Sequence, residues 1–214
     1  MRLDKHVQLA FAITLAGVLA ACSGQPTSPT APSQLDARTG TSTFGTNAQT
    51  EGVTIASAPA PSPSTANFEI GFMTGMIDHH QMAIEMAQIC LAKAVHEELR
   101  SMCQNIIATQ SAEIQEMQSW LQQWYGITYE PTMKPGDQKT LERLASLSGP
   151  EFEIAFMEMM IKHHEGAIKE ARKCLDKAAH AELRELCENI IATQYAEIQQ
   201  LQTWLCQWYG ECRS

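Results

Sequence analysis

The stretch GFMTGMIDHHQMAIEMA, residues 71–87, returns later in the chain as AFMEMMIKHHEGAIKEA, residues 155–171. Both copies place adjacent histidines after Phe-Met-x-x-Met-Ile. The similarity runs without a gap between residues 68–126 and residues 152–210, where 38 of the 59 aligned positions are identical. The chain therefore contains a tandem repeat of one structural unit.

Each repeat has the pattern of a helical hairpin. Neither repeat contains a proline, and both end in Trp-Tyr-Gly, where the glycine is a natural helix stop. The pattern predicts helices over residues 68–95 and 97–125, with two more at the same places in the second repeat. One hairpin cannot cover its own apolar face. We therefore predict an all-α fold, a four-helix bundle built from two repeated helical hairpins.

The segment before the repeats differs from them in composition. Residues 1–21 combine a short basic start with an apolar run too short to span a membrane, which predicts an export signal. The run ends in Leu-Ala-Ala-Cys, which resembles a bacterial lipoprotein signal and implies lipid attachment at Cys22. A plain secretory signal is the alternative. Residues 22–67 are rich in Ser, Thr, Pro, Ala and Gly, which predicts a disordered tether.

A linker with proline and glycine, residues 127–151, separates hairpin repeat 1 (68–126) from hairpin repeat 2 (152–214). We predict a short helix within it, over residues 137–147. A lipoprotein of this kind would be anchored in the cell envelope, on the periplasmic side of an outer membrane if the cell has one. The lipid would be its only membrane contact. The net charge of -9 argues against a nucleic-acid partner, and the oligomeric state is not indicated.

Seven cysteines are present, and six remain if Cys22 carries lipid. Two of them flank each hairpin turn at matching distances, and two more stand near the C-terminus. The candidate disulfides are Cys90 with Cys103, Cys174 with Cys187, and Cys206 with Cys212. A disulfide in each hairpin suits an oxidising compartment and would contribute about 3 kcal/mol. Metal binding by the cysteines is the alternative, although no Cys-x-x-Cys is present.

A line of thioether and imidazole side chains follows the apolar face of the first helix in each repeat. Positions i, i+3 and i+7 give this inner line: Met73, Met76 and His80 in the first repeat, Met157, Met160 and His164 in the second. Soft thioethers with imidazoles select copper, above all Cu(I). The alternative is that the methionines fill the core and each buried histidine bonds a glutamate across the hairpin.

A second, outer line starts at His79 and continues through Met82 and Met86. The second repeat keeps His163, but a glycine and a glutamate replace the two methionines. The outer line is therefore predicted for the first repeat only.

The second helix of each hairpin carries a glutamate on its apolar face, Glu113 and Glu197 respectively. If Cys90 is level with Cys103, antiparallel register puts His80 level with Glu113. A buried carboxylate needs a partner, and carboxylates commonly hold the free N–H of a metal-binding imidazole. We predict this role for both glutamates.

Two further histidines, His96 and His180, stand near the hairpin turns. They are predicted to be turn or capping residues rather than metal ligands. The tryptophans near the ends of the repeats are predicted to pack the ends of the bundle.

The pattern Phe-x-x-x-Phe-Met-x-x-Met-Ile-x-His-His-x-x-Ala-Ile, at residues 68–84 and 152–168, resembles the signature of domain-of-unknown-function family 305. The resemblance covers about residues 68–210. It implies a ferritin-like bundle and, by analogy with some exported members, copper binding and resistance through methionine and histidine. The residues to which it assigns this role are Met73, Met76, His79, His80, Met157, Met160, His163 and His164.

We expect an exported copper-binding protein, not an enzyme, that sequesters copper or hands it to a copper-transfer protein. Cu(I) is favoured and Cu(II) is possible. One alternative is a structural or interaction lipoprotein, a disulfide-stapled bundle without metal. A less favoured alternative is a ferritin-like di-metal oxidase, which needs Glu-x-x-His motifs on its helices. No such pair stands at matching positions in the two repeats.

Overall fold

The structure, a computed structural model, describes residues 60–212. This part of the chain contains five helices. They are α1 (Pro63–Lys93), α2 (Glu97–Tyr125), α3 (Pro135–Ser146), α4 (Gly149–Lys177) and α5 (Ala181–Tyr209). No strand occurs between residues 60 and 212, and the all-α prediction is confirmed. The predicted signal, the lipid site at Cys22 and the tether up to residue 59 lie outside the described residues.

The first helix begins five residues earlier than predicted, so the tether cannot extend to residue 67. Ser62 is the N-cap of α1, and its side chain accepts a hydrogen bond from the backbone N–H of Thr65 at 3.2 Å. Pro63 takes the first helical position, where its missing N–H costs nothing. The same Ser-Pro composition that predicts a loop therefore also supplies a helix start.

Each hairpin is crosslinked beside its turn, as predicted. The structure contains the disulfides Cys90–Cys103, Cys174–Cys187 and Cys206–Cys212. The four cysteines of the first two disulfides are fully buried. The hairpins end at Gly126 and Gly210, whose φ angles of 67° and 73° lie in the left-handed region that glycine adopts without steric cost.

The two hairpins meet through α1 and α4. One buried cluster joins the C-terminal half of α1, including Met86 and Cys90, to the N-terminal half of α4, including Phe152 and Phe156. The other cluster joins the N-terminal half of α1 to the C-terminal half of α4. The two helices therefore run antiparallel where they cross, and an approximate two-fold axis relates the repeats.

The linker helix α3 packs on both α1 and α4, on one side of this axis. Its fully buried residue is Leu144, which belongs to the same cluster as Met86 and Phe156. The linker thus makes the two halves of the bundle unequal. No described helix combines the length and hydrophobicity that crossing a bilayer requires.

Candidate metal centre

Four histidines meet where α1 crosses α4. The rings of His79 and His163 face each other with their centroids 3.6 Å apart. Their neighbours His80 and His164 are fully buried. The antiparallel crossing brings the His-His pairs of the two repeats to the same level, a proximity that a repeat pattern alone does not predict.

The ring nitrogens of these histidines are available as metal ligands. Nδ1 of all four histidines is buried and makes no hydrogen bond. Nε2 of His163 is also buried without a hydrogen bond. A buried polar atom without a partner is costly, and native proteins keep few of them. Unpartnered imidazole nitrogens in the core therefore fit a site that receives a ligand.

The pair at the centre of the crossing is uncharged at neutral pH. The pKa of His79 is lowered to about 3, by burial first and then by the nearby His80, His164 and Lys134. The pKa of His163 also lies well below its ordinary value, because of burial first and then because of the other three histidines. Neutral imidazole is the form that binds metal ions.

The two predicted carboxylates lie beside the inner histidines. Oε2 of Glu113 is 2.8 Å from Nε2 of His80, and Oε2 of Glu197 is 2.7 Å from Nε2 of His164. These are hydrogen-bond separations, although neither ring nitrogen is aligned for a hydrogen bond. The register set by the hairpin disulfides predicted this proximity. That the glutamates orient metal ligands stays a prediction.

The inner-line methionines divide between the two buried clusters. Met73 and Met76 pack with Met117 on one side of the crossing, and Met157 and Met160 pack on the other. All five side chains are buried. Each half of the bundle therefore contains thioethers close in sequence to an unpartnered imidazole.

The outer-line methionines Met82 and Met86 lie close to methionines of the second repeat. Met86 is buried in the same cluster as Met157 and Met160, and Met82 and Met159 pack against that cluster. The outer line of the first repeat therefore joins the inner line of the second across the α1–α4 interface. This half of the bundle is the richer in sulfur.

A small cavity of about 160 Å³ opens beside the central histidine pair, with Met82, Lys134 and Asp137 in its walls. Asp78, also in its wall, accepts hydrogen bonds from the Tyr129 hydroxyl and, at 2.7 Å, from the backbone N–H of Thr132. These contacts fasten the linker to α1. The linker therefore forms one wall between the histidines and solvent.

Among residues 60–212, no group of three or more His, Cys, Asp or Glu side chains is arranged to hold a metal ion. The donors that the crossing does bring together are imidazole nitrogens and thioether sulfurs. This donor set fits copper, because soft sulfur ligands select Cu(I) and imidazole suits either copper ion.

A buried carboxylate that was not predicted, Glu69 of α1, binds the turn that precedes α5. Its Oε1 accepts from the backbone N–H groups of Ala179 and His180 at 2.7 and 3.0 Å, and its Oε2 accepts from Nδ1 of His180 at 2.7 Å. The Tyr125 hydroxyl donates to the same carboxylate. Glu69 thus joins three segments of the two hairpins.

Glu153 of α4 makes the reciprocal clamp on α2. It accepts from the backbone N–H groups of Val95 and His96, from Nδ1 of His96 at 2.6 Å, and from the Tyr209 hydroxyl. The signal in the sequence was a glutamate beside the first phenylalanine of both repeats, on the apolar side of the helix.

His96 and His180 occupy the N-cap positions of α2 and α5, as turn or capping residues should. Their side chains do not cap these helices. Nδ1 of each ring instead donates to the buried carboxylate of the opposite repeat. The ring of His96 stacks on Trp208 with centroids 3.9 Å apart, and His180 stacks on Trp124 at 3.8 Å. These tryptophans pack the ends of the bundle, as predicted.

The fold and donor set define a helical bundle of two repeated hairpins with methionine and histidine at their crossing. The chain belongs to the DUF305 family: the model of this domain of unknown function matches residues 69–205. No curated protein matches the chain.

Solved structures similar to this chain include CopM in two copper-bound forms. The Cu(I)-bound form shares 36% identity with a TM-score of 0.60, covering 66% of this chain and 98% of that one. The Cu(II)-bound form shares 36% identity with a TM-score of 0.61, covering 66% of this chain and 97% of that one. A DUF305 fragment from Deinococcus radiodurans shares 25% identity with a TM-score of 0.59, covering 69% and 98%.

Proposed function

We propose that this protein binds copper in the cell envelope and sequesters it or hands it to a transfer protein. The observation that carries the proposal is the meeting of four histidines beside methionine clusters at the α1–α4 crossing. Two of them are fully buried and two are half-buried, and all four have a buried ring nitrogen without a hydrogen-bond partner. CopM, at 36% identity, is known with Cu(I) and with Cu(II) bound. Copper is the cargo in this proposal, and no catalytic step is included.

The proposed ligands come from both repeats. The inner lines supply thioethers and one imidazole each, from Met73, Met76 and His80 and from Met157, Met160 and His164. His79, His163, Met82 and Met86 extend the site across the interface, and Glu113 and Glu197 orient the inner imidazoles. The excess of thioether over imidazole favours Cu(I).

The proposed setting is outside the cytoplasm. Three disulfides support it, since disulfides persist in oxidising compartments. A cleaved signal over residues 1–21 and a lipid on Cys22, on the periplasmic side of an outer membrane where one exists, belong to the proposal on sequence grounds.

The test is a competition titration of Cu(I) against a chromophoric chelator, using the purified protein with its disulfides intact. We expect tight binding by the wild type and its loss in His80→Ala/His164→Ala. Met102→Leu is the matched control, because the second repeat already has leucine at that position. Circular dichroism of each variant separates lost binding from lost fold.

No competition by the wild type would overturn the copper proposal. The structural bundle without metal would then be favoured by the contacts of His80 with Glu113 and of His164 with Glu197. The crossing histidines would in that case serve packing alone.

A further inference from the structure

The disulfide Cys206–Cys212 differs from the other two in its surroundings. Cys212 is exposed and Cys206 is half-buried, whereas all four cysteines of the hairpin disulfides are fully buried. It also closes a much shorter loop, with a sequence separation of 6 rather than 13. An attacking thiol can therefore reach this disulfide in the folded protein, and exposed disulfides are the labile ones.

The first repeat makes the same connection without a covalent bond. Gln122 and Thr128 stand at the positions of Cys206 and Cys212, and the Thr128 hydroxyl donates to Oε1 of Gln122 at 3.0 Å. A hydrogen bond between side chains therefore closes this turn in one half of the molecule.

The backbone caps of the two helix ends are also alike. Gly126 N–H donates to the Gln122 carbonyl at 3.1 Å, and Gly210 N–H donates to the Cys206 carbonyl at the same distance. The residue after each glycine donates to the carbonyl five positions before that glycine, again at 3.1 Å in both repeats. The end of α5 can therefore keep its form when the disulfide opens.

The surroundings of this disulfide leave room for a reactant. A surface depression of about 470 Å³ contains both cysteines, and its other walls are the neutral side chains Gln199, Gln202, Thr203 and Gln207. No carboxylate in this lining opposes the approach of a thiolate.

We propose that Cys206–Cys212 is a redox-active disulfide that exchanges with a dithiol reductant at the protein surface, while the two hairpin disulfides stay oxidised. This modification site goes beyond copper binding and does not depend on it. The partner is a protein or small molecule with two neighbouring thiols.

The exchange transfers two electrons and two protons. A thiolate of the reductant attacks Sγ of Cys212, forms a mixed disulfide and releases Cys206 as a thiolate, which takes up a proton. The second thiolate of the reductant then attacks its own sulfur in the mixed disulfide. Cys212 leaves and is protonated, and the reductant departs as a disulfide.

The test reduces the folded full-length protein with graded dithiothreitol after any free thiol, including Cys22, has been blocked with unlabelled reagent. New thiols are alkylated with a labelled reagent and located by peptide mass spectrometry. We expect Cys206 and Cys212 to be labelled at dithiothreitol concentrations at least ten-fold lower than the other four cysteines require, with an unchanged far-ultraviolet circular dichroism spectrum. Simultaneous or later labelling of this pair overturns the proposal.

A variant that installs the first-repeat pair, Cys206→Gln/Cys212→Thr, is the matched control. We expect it to fold with an unchanged spectrum and to show no labelling under mild reduction. Failure of this variant to fold makes the disulfide a structural requirement and overturns the proposal. A Cys-x-x-Cys oxidoreductase used as the reductant should act on the wild type at this pair alone.

Discussion

At the scale of single residues, each inner-line methionine fills volume in the core and supplies a thioether sulfur. Leucine fills a similar volume but has no sulfur. Replacing methionine by leucine in a core usually costs less than about 1.5 kcal/mol. We expect Met73→Leu/Met76→Leu and Met157→Leu/Met160→Leu each to stay folded and to weaken Cu(I) binding at one half of the bundle by at least ten-fold. A Cu(I) competition titration with both stoichiometry and affinity fitted measures this.

The control for the methionine variants is again Met102→Leu. If all three variants bind Cu(I) like the wild type, the thioethers are packing groups and the imidazoles alone hold the metal. Silver(I) in place of Cu(I) repeats the test with a soft ion that does not undergo the copper redox reaction.

Prediction from sequence succeeded for contacts within one hairpin and failed for contacts between hairpins. The His80–Glu113 contact followed from helix periodicity and from one disulfide that fixes the register. The contact of Glu69 with His180 spans 111 residues. This contact depends on how the two hairpins dock. It could not be predicted, because the apolar pattern of a helix does not specify which other helix packs on its apolar face.

At the scale of elements, α3 buries only a small part of its surface against the rest of the bundle. Leu144 is its one fully buried residue, and Leu141 is half-buried beside it. We expect Leu144→Ala to destabilise the docking of α3 by about 2–5 kcal/mol, since it leaves a cavity against Met86 and its neighbours. Hydrogen exchange should then lose protection in Pro135–Ser146 while α4 keeps it.

The matched control for α3 is Leu141→Ala, which removes the same atoms from a less buried position and should cost less. Equal loss of protection in α3 and α4 would show that α3 does not unfold independently. The same helix illustrates a limit of sequence reasoning. A short helix over residues 137–147 could be predicted, although it begins two residues earlier, at Pro135. Its one-sided packing over the sulfur-rich half could not be predicted.

At the scale of the whole molecule, the Glu69 and Glu153 clamps tie the two hairpins together at opposite ends. Removing an acceptor leaves buried N–H groups unsatisfied, at a cost of about 1–3 kcal/mol. We expect Glu69→Gln and Glu153→Gln each to lower the free energy of unfolding by that amount. The effects should add in the double variant, because the clamps share no partner. Urea unfolding of the three variants measures both the size and the additivity.

Protonation of the buried groups makes the stability of the metal-free protein depend on pH in two steps. The pKa of His79 falls from 6.5 in the unfolded chain to about 3 in the folded protein, and the pKa of His163 is also lowered. Burial is the largest cause of both shifts. The folded state therefore binds fewer protons, and its stability begins to decrease as the pH falls below 6.5. We expect the variant His79→Gln/His163→Gln to lack this first step, because glutamine does not titrate.

The second step belongs to the clamps. Burial raises the pKa of Glu69 and Glu153, but the hydrogen bonds from tyrosine, histidine and backbone lower it more, so both lie below the ordinary 4.5. Their contribution to stability is complete above pH 4.5 and is lost as the pH falls through the folded pKa. We expect Glu69→Gln/Glu153→Gln to reduce this second step and leave the first one. Urea unfolding from pH 3 to 7 measures both steps, and equal stability at pH 5.5 and 7 would contradict a neutral His79–His163 pair in the folded protein.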